Sequence, residues 1–535
     1  MENNVTMAKG TDSKADSVVE VGLTSSKTSS DNEKGTSRIS VKSHSRLDDV
    51  SEEIAGYDLY EKAQDISVEE EEEIRRKVIR KVDMRIVPLL CITYTLQFLD
   101  KLSLNYAAAY SLKEDLDLTG QRYSWVAAIF NFGYLFWALP GNYIIQRVPV
   151  AKYTGFMLFT WAIILIGHIG LTNYGGALVV RFILGMFEAS ISPSCMLICS
   201  SFYTIKNQPI RMCIFLSFNG VATMVGALLG FALGHATNSS LKPWKLIFLV
   251  IGLLNLVWSL IFLWLCPDAP NKAKFLTEEE KAVLVKEVAS NNQGLKDAHF
   301  KKYQAMEALC DVGVWMVGVI GLGCGVINGG TSNFASALIK GYGFSGLNAT
   351  ALQLPTGAIE LVVVATAGFV IFNIRNSRCY VLFGICIPPL AGLIGIHTIS
   401  LDHKWALVGC TFLQFIVGGP VILCWILLNA NVSGSSKKTI ANGIWFVFYA
   451  TGNIVGANIF FAREAPKYRS GMIGLITCYC VMMVIAILYR FLLVRRNKRK
   501  NEAQGGYDDN IAMQAVIDGF KGLTDFENEG FRYSL

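Results

Sequence analysis

Five ionisable side chains lie well inside apolar runs of this sequence: Asp100, Lys101, Arg181, Glu188 and Glu360. A charge in hydrocarbon costs roughly 2.5 to 3.5 kcal/mol on insertion scales, so each of the five needs a partner or a task. Groups of these types bind and release protons or hold an ionic solute. At about 1.5 Å per residue, Asp100 lies roughly 24 Å along its apolar run. Arg181 lies about 6 Å inside an oppositely directed one, which puts the two at one level. Opposite charges at one depth predict an Asp100–Arg181 ion pair. Glu188 follows Arg181 by two turns on the same helical face, about 10 Å deeper and near the midplane. It has no evident fixed partner, and a buried carboxyl of that kind suits reversible protonation. Lys101 points about 100 degrees away from Asp100, so it is expected to face a central cavity and receive an anion. Glu360, near the midplane of its own run, is a second candidate for proton coupling. The alternative is a purely structural network, with Lys101 snorkelling outward and Glu360 neutral against a neighbour.

Uncharged polar residues complete a candidate substrate pocket: Asn131, Tyr134, Asn219, Asn328, Asn333, Gln414, Asn442 and Trp445, with Asn453 beside them. Interhelical hydrogen bonds would account for the same residues. Gly220, Gly226, Gly230 and Gly234 recur largely at helical spacing, as close helix packing requires. No phosphate loop, nucleophile elbow or metal-spaced histidine cluster occurs, and the six histidines are dispersed. The expectation is no enzyme, no catalytic residue, no metal and no cofactor.

The elements that must position these groups are membrane helices. Of 535 residues, 52% are hydrophobic and 17% charged, and the mean hydropathy is +0.40. Twelve apolar segments fall near 84–107, 123–145, 153–172, 177–202, 212–235, 245–266, 312–339, 349–373, 379–399, 405–429, 438–461 and 470–494. Each is long enough to cross a hydrocarbon core of about 30 Å. The expected fold is an all-α polytopic membrane protein with two six-helix bundles, at 84–266 and 312–494, joined by a central loop at 267–311. Residues 1–66 are polar and expected to be disordered, 67–83 to form an amphipathic helix lying on the membrane surface, and 495–535 to be a tail. Capping boxes mark Ser67 with Glu70 and Thr277 with Glu280. The first eighty residues contain no cleavable signal pattern.

Basic residues fix the orientation. Arg75 to Arg85, Arg147, Lys152, Lys206, Arg211, Arg375, Arg378, Lys437, Lys438 and the RRNKRK run all fall on one side, so both termini and the central loop should be cytoplasmic. The net charge of +6 therefore reflects the lipid bilayer as partner and not nucleic acid. The sequons at Asn238 and Asn348 sit in short outer loops. The thirteen cysteines read as free thiols. Six plus six segments about a cytoplasmic middle loop is the layout of two bundles that rock about a central site, which points to transport.

Several stretches also carry a resemblance: FLDK in the first segment, FNFGYLFWALPGNYIIQR (130–147), RFILGMFEASISPS (181–194), CPDAPNKAKFLTEEEKAVL (266–284) and the closing LTDFENEGFRYSL. Together, over 67–535, they resemble the fungal allantoate permease family, in the anion:cation symporter branch of the major facilitator superfamily. The resemblance implies proton-driven uptake of a small organic anion, such as allantoate, ureidosuccinate, nicotinate, pantothenate, an amino acid or a small peptide. The expected unit is a monomer powered by the proton gradient, in the plasma membrane, with an internal membrane as the alternative. Asp100, Arg181 and Glu188 match the proton-coupling pattern of related sugar-acid symporters, and Lys101 the position that meets the substrate carboxylate. Lys in place of the usual Arg there forgoes bidentate recognition. Arg147 matches a gating position, but Gln146 stands where the superfamily places an acid and Pro149 where it places Gly. A proton-independent facilitator or exporter is the nearer rival function, and a non-transporting nutrient sensor the more distant one.

Overall fold

The computed structural model describes residues 67–145, 147–204, 207–236, 240–292, 301–374, 376–504, 511, 515 and 522–535, all within the unit Glu52–Leu535. The N-terminal tail, Gln146, Lys206, Arg375, the Asn238 sequon and parts of the central loop and C-terminal tail lie outside the described residues.

Helices dominate, and no strand occurs among the described residues. In the first half of the chain they are α1 Val68–Ala108, α2 Arg122–Ile145, α3 Val150–Gly167, α4 Tyr174–Glu188, α5 Ile191–Phe202, α6 Gln208–Gly234 and α7 Pro243–Leu265. The central loop carries α8 Glu278–Asn292 and α9 Lys302–Cys310. The second half has α10 Val312–Gly341, α11 Leu354–Asn373, α12 Arg378–Ile385, α13 Ile387–Thr398, α14 Lys404–Gln414, α15 Gly418–Asn431, α16 Ser435–Asn458 and α17 Arg469–Gln504. Taken with their continuations, eleven helices are long and apolar enough to cross a membrane. The expected second span, α2, has the length at 24 residues, but Asn131, Tyr134 and Asn142 dilute its apolar character.

The segment 67–83 does not form a separate surface helix. It is the first part of the continuous 41-residue α1, opened by the Ser67 cap, whose hydroxyl accepts from Glu70 N at 3.4 Å. Its apolar stripe, with Val78 and Val82 fully buried, joins the same core as Leu284 of α8, and α8 packs against α1. Ion pairs then fix the two helices together, Lys286 to Glu71 at 2.8 Å and Lys81 to Glu280 at 2.5 Å. Protein covers the stripe that amphipathicity assigned to lipid. The capping box of α8 forms in both directions, Thr277 N to Glu280 Oε2 at 3.0 Å and Glu280 N to Thr277 Oγ1 at 3.3 Å.

The last residues are not a loose tail. Fully buried Lys437 of α16 lies 2.9 Å from Glu307, 3.2 Å from Asp311 and 2.7 Å from Asp525. Asp525 also accepts from Tyr533 at 2.8 Å, and Asp311 from Arg496 of α17 at 2.6 Å. Ser534 N donates to Asn431 at 2.7 Å, and Arg378 N to Leu535 O at 3.0 Å. One short segment thus joins the ends of α9, α12, α15, α16 and α17. All thirteen cysteines are free.

The two halves meet along α2 with α16, α6 with α11, and α1 with α10. Gly220 and Gly357 make the second contact possible: a Cβ on either would come within 2.5 Å of the other's carbonyl oxygen.

Candidate functional site

Two apolar segments are broken where chemistry is concentrated. The run 177–202 divides between α4 and α5 immediately after Glu188, and the run 405–429 between α14 and α15, just after Gln414. Irregular backbone at membrane depth must find partners inside the protein. At the second break the freed Gly418 N–H donates to Glu360 Oε1 at 3.1 Å. A Cβ at 418 would lie 2.3 Å from that oxygen, so a larger residue there would push the carboxyl aside. The positive end of α15 thereby faces an acid, the arrangement favoured at a helix start.

Lys101 reaches from α1 across to the second half, where its ammonium donates to Asn328 Oδ1 of α10. Glu188 and Glu360 are its charged neighbours, although neither forms an ion pair with it among the described residues. Glu188 is 3% exposed, and its Oε2 has no hydrogen-bond partner. Around it stand residues that the sequence reading missed. Ser192, just past the α4/α5 break, accepts from Tyr94 at 3.2 Å and from Gln97 at 3.1 Å. Tyr94, Gln97 and Lys101 fall at i, i+3 and i+7 on one face of α1, a signal legible in principle. Tyr134 of α2 neighbours Glu188 and stacks on Phe446 of α16 at 5.3 Å, while Tyr449 neighbours Tyr134 and Glu360. One ammonium and two carboxyls therefore stand at the junction of the two halves, among tyrosines and an amide.

The expected Asp100–Arg181 ion pair is absent among the described residues. Asp100 Oδ2 instead accepts from Trp161 Nε1 of α3 at 2.7 Å, and Oδ1 from Ser103 at 3.2 Å. Arg181 points into a small apolar space with His168, beside the Phe248 ring at 5.4 Å, and its Nε and Nη2 have no partner. Arg181 and Asp100 still act on one another as opposite charges, without the direct ion pair that equal depth predicts. One N–H of the Lys101 ammonium is already engaged, with Asn328 Oδ1 as its acceptor.

The remaining residues divide. Asn131 is half-buried on α2, and Asn219, one residue before the Gly220 crossing, leaves Oδ1 unpartnered. Asn333 bonds its own helix at Gly329 O, 2.7 Å, while its carbonyl accepts from Tyr123. Gln414 is buried with Oε1 unpartnered, and Asn453 bonds Tyr449 O at 2.9 Å. Asn442 Oδ1 accepts from Trp425 Nε1 at 2.9 Å. Trp445 donates to Cys424 Sγ at 3.1 Å and stacks between Trp425 and Tyr449. Arg147 is exposed, over the Tyr143 ring at 3.7 Å, with no ion pair among the described residues. No cluster of metal-ligating side chains occurs among the described residues.

Comparison with known proteins fits this arrangement. The sequence profile of the Major Facilitator Superfamily matches residues 90–457. The chain is similar to the Allantoate permease of Saccharomyces cerevisiae, 34% identical over 89% of each chain. It is also similar to an uncharacterized transporter of Schizosaccharomyces pombe, 36% identical over 85% of this chain and 86% of that one. Among solved structures, an inward-facing bacterial homolog of the human lysosomal transporter Spinster matches with a TM-score of 0.55 and 15% identity, covering 76% of this chain and 96% of that one.

Proposed function

Because this chain belongs to the major facilitator superfamily, in its allantoate-permease-like part, and is therefore a multi-pass membrane transporter and not an enzyme, we propose that it is a proton-coupled symporter of small organic anions. The observation that carries the reading is Glu188, a buried acid whose Oε2 has no hydrogen-bond partner and whose charged neighbour is Lys101, at the junction of the two halves. With both Glu188 and Glu360 ionised, Lys101 is already over-compensated and an incoming anion is repelled. Protonation of either acid releases that charge, so a proton and a carboxylate enter together. Discharge on the other side restores the starting state, as alternating access requires.

The cargo in this reading is a carboxylate-bearing nitrogen source or vitamin, such as allantoate, ureidosuccinate, nicotinate or pantothenate, or an amino acid or small peptide. Lys101 with Asn328 receives the carboxylate, and Asp100, Glu188 and Glu360 handle protons. The end bearing both termini is cytoplasmic, the membrane is the plasma membrane, and the unit is a monomer driven by the proton gradient without a cofactor. The test is uptake of labelled carboxylates at external pH 5 and 7, with and without an uncoupler. Acid-stimulated, uncoupler-sensitive uptake that Glu188→Gln abolishes supports the symporter. Uptake indifferent to both treatments identifies a facilitator or exporter, and overturns it.

A further inference from the structure

We propose that Trp161 is a positioning residue for Asp100: its indole N–H, donated from α3, sets the orientation in which the acid of α1 takes part in proton coupling. The proposal rests on the symporter reading above. Trp161 Nε1 lies 2.7 Å from Asp100 Oδ2, and both residues are fully buried. The second carboxyl oxygen is held at 3.2 Å by Ser103, one turn along the same helix. Both oxygens are thereby assigned to neutral donors, one from α3 and one from α1.

The charged groups acting on Asp100 come from α4, namely Arg181 and Glu188. The other helices packed on this region carry their charges at their ends: Lys152 and the neighbouring His168 for α3, Arg211 for α6, Lys245 for α7 and Lys340 for α10. Arg181, the natural counter-ion, makes no hydrogen bond to Asp100 and is directed toward His168 and Phe248.

The choice of indole has chemical content. It donates only, never titrates near neutral pH, and so bonds Asp100 in either protonation state. The bond is stronger to the ionised form, being charge-assisted. A neutral donor orients the acid, while Arg181 acts on it by charge without a direct hydrogen bond, so the carboxyl can gain and lose a proton in place. Other packing residues on α3 could fill the same volume; the N–H is what Trp161 adds.

The test separates orientation from packing. Trp161→Phe removes the donor and keeps an aromatic ring; 3-benzothienylalanine at 161, with sulfur replacing N–H in the same outline, covers the case in which phenylalanine misfolds. Both are read in the full-length protein by uptake between external pH 4.5 and 8, and by melting in detergent over the same range. Losing a bond to the ionised form favours protonation, so the pH of half-maximal uptake should rise by about one unit, a tenfold change in the proton concentration required. In the Asp100→Asn background the same substitutions should change melting differently from their effect in the parent, because the paired group is altered. Uptake lowered equally at every pH, or strict additivity in melting, overturns the proposal. A parent whose uptake ignores pH overturns the symporter reading as well, and is recognised without any Trp161 variant.

Discussion

Asn105 Nδ2 donates to Gln353 Oε1 at 2.8 Å, joining α1 to the residue before α11 across 248 positions of sequence. Asn105 Oδ1 accepts from Ser336 N of α10 at 2.9 Å, and Gln353 Nε2 donates to Ser336 Oγ at 2.7 Å. All three residues are fully buried. At the same end, a Cβ on Gly346 would lie 2.5 Å from Ala109 O, and Tyr123 donates to Asn333 O at 2.7 Å. The end opposite the termini is thus closed by an interlock of polar side chains. Uncharged groups suit such a closure: water replaces their hydrogen bonds on opening, so the net cost per bond is only about 0.5 to 1.5 kcal/mol.

Asn105→Ala leaves Gln353 Oε1 unpaired in the closed state, a penalty of about 1 to 3 kcal/mol. The open population should rise roughly tenfold. Spin labels on cysteines replacing the exposed Asp117 and Ser345 read it as a growing long-distance peak. An unchanged distance distribution would remove the interlock's role.

Gly418→Ala should abolish or strongly reduce uptake, at least about tenfold, by driving Glu360 from the α15 N-terminus, where the added Cβ would stand 2.3 Å from its oxygen. Gly409→Ala is the control, because nothing lies within 4 Å of a Cβ there. Surface quantity of both variants, followed with a fluorescent tag, must match the parent for the comparison to count.

Lys437→Met strands the carboxylates of Glu307, Asp311 and Asp525 around an apolar chain. Removing one partner from a buried charge cluster costs about 3 to 5 kcal/mol. The expected readout is earlier melting together with protease cleavage within 522–535, since the Asp525 contact anchors that segment. Asp525→Asn should release it more mildly.

Acid should weaken the same clamp. Burial by itself would raise the Asp311 carboxyl, but hydrogen bonding and charge from Arg496, the charge of Lys437 and the Gly313 N–H together hold it below its ordinary value. A depressed acid contributes stability that is complete above its unfolded value, about 3.9, and is lost as pH falls through the lower folded value. Melting should therefore be level near neutrality and decline below about pH 4. Asp311→Asn should flatten that decline while lowering melting at pH 7.

The amino-acid sequence by itself determined the class of this protein, because span length, charge placement and hydropathy are one-dimensional quantities that the bilayer reads directly. It put Asp100 level with Arg181, and Glu188 and Glu360 near the midplane, for the same reason: rise along a helix is fixed by the backbone. Azimuth and helix breaks were decided only in three dimensions. Asp100 chose Trp161 over Arg181 because α3, and not the matching depth on α4, presents a donor to its oxygens. Glu360 gained its partner from a break at Gly418 that no hydropathy pattern marks, and the stripe of Val78 and Val82 was covered by a helix 200 residues downstream rather than by lipid. An amphipathic face announces that it will be covered, and only packing decides by what.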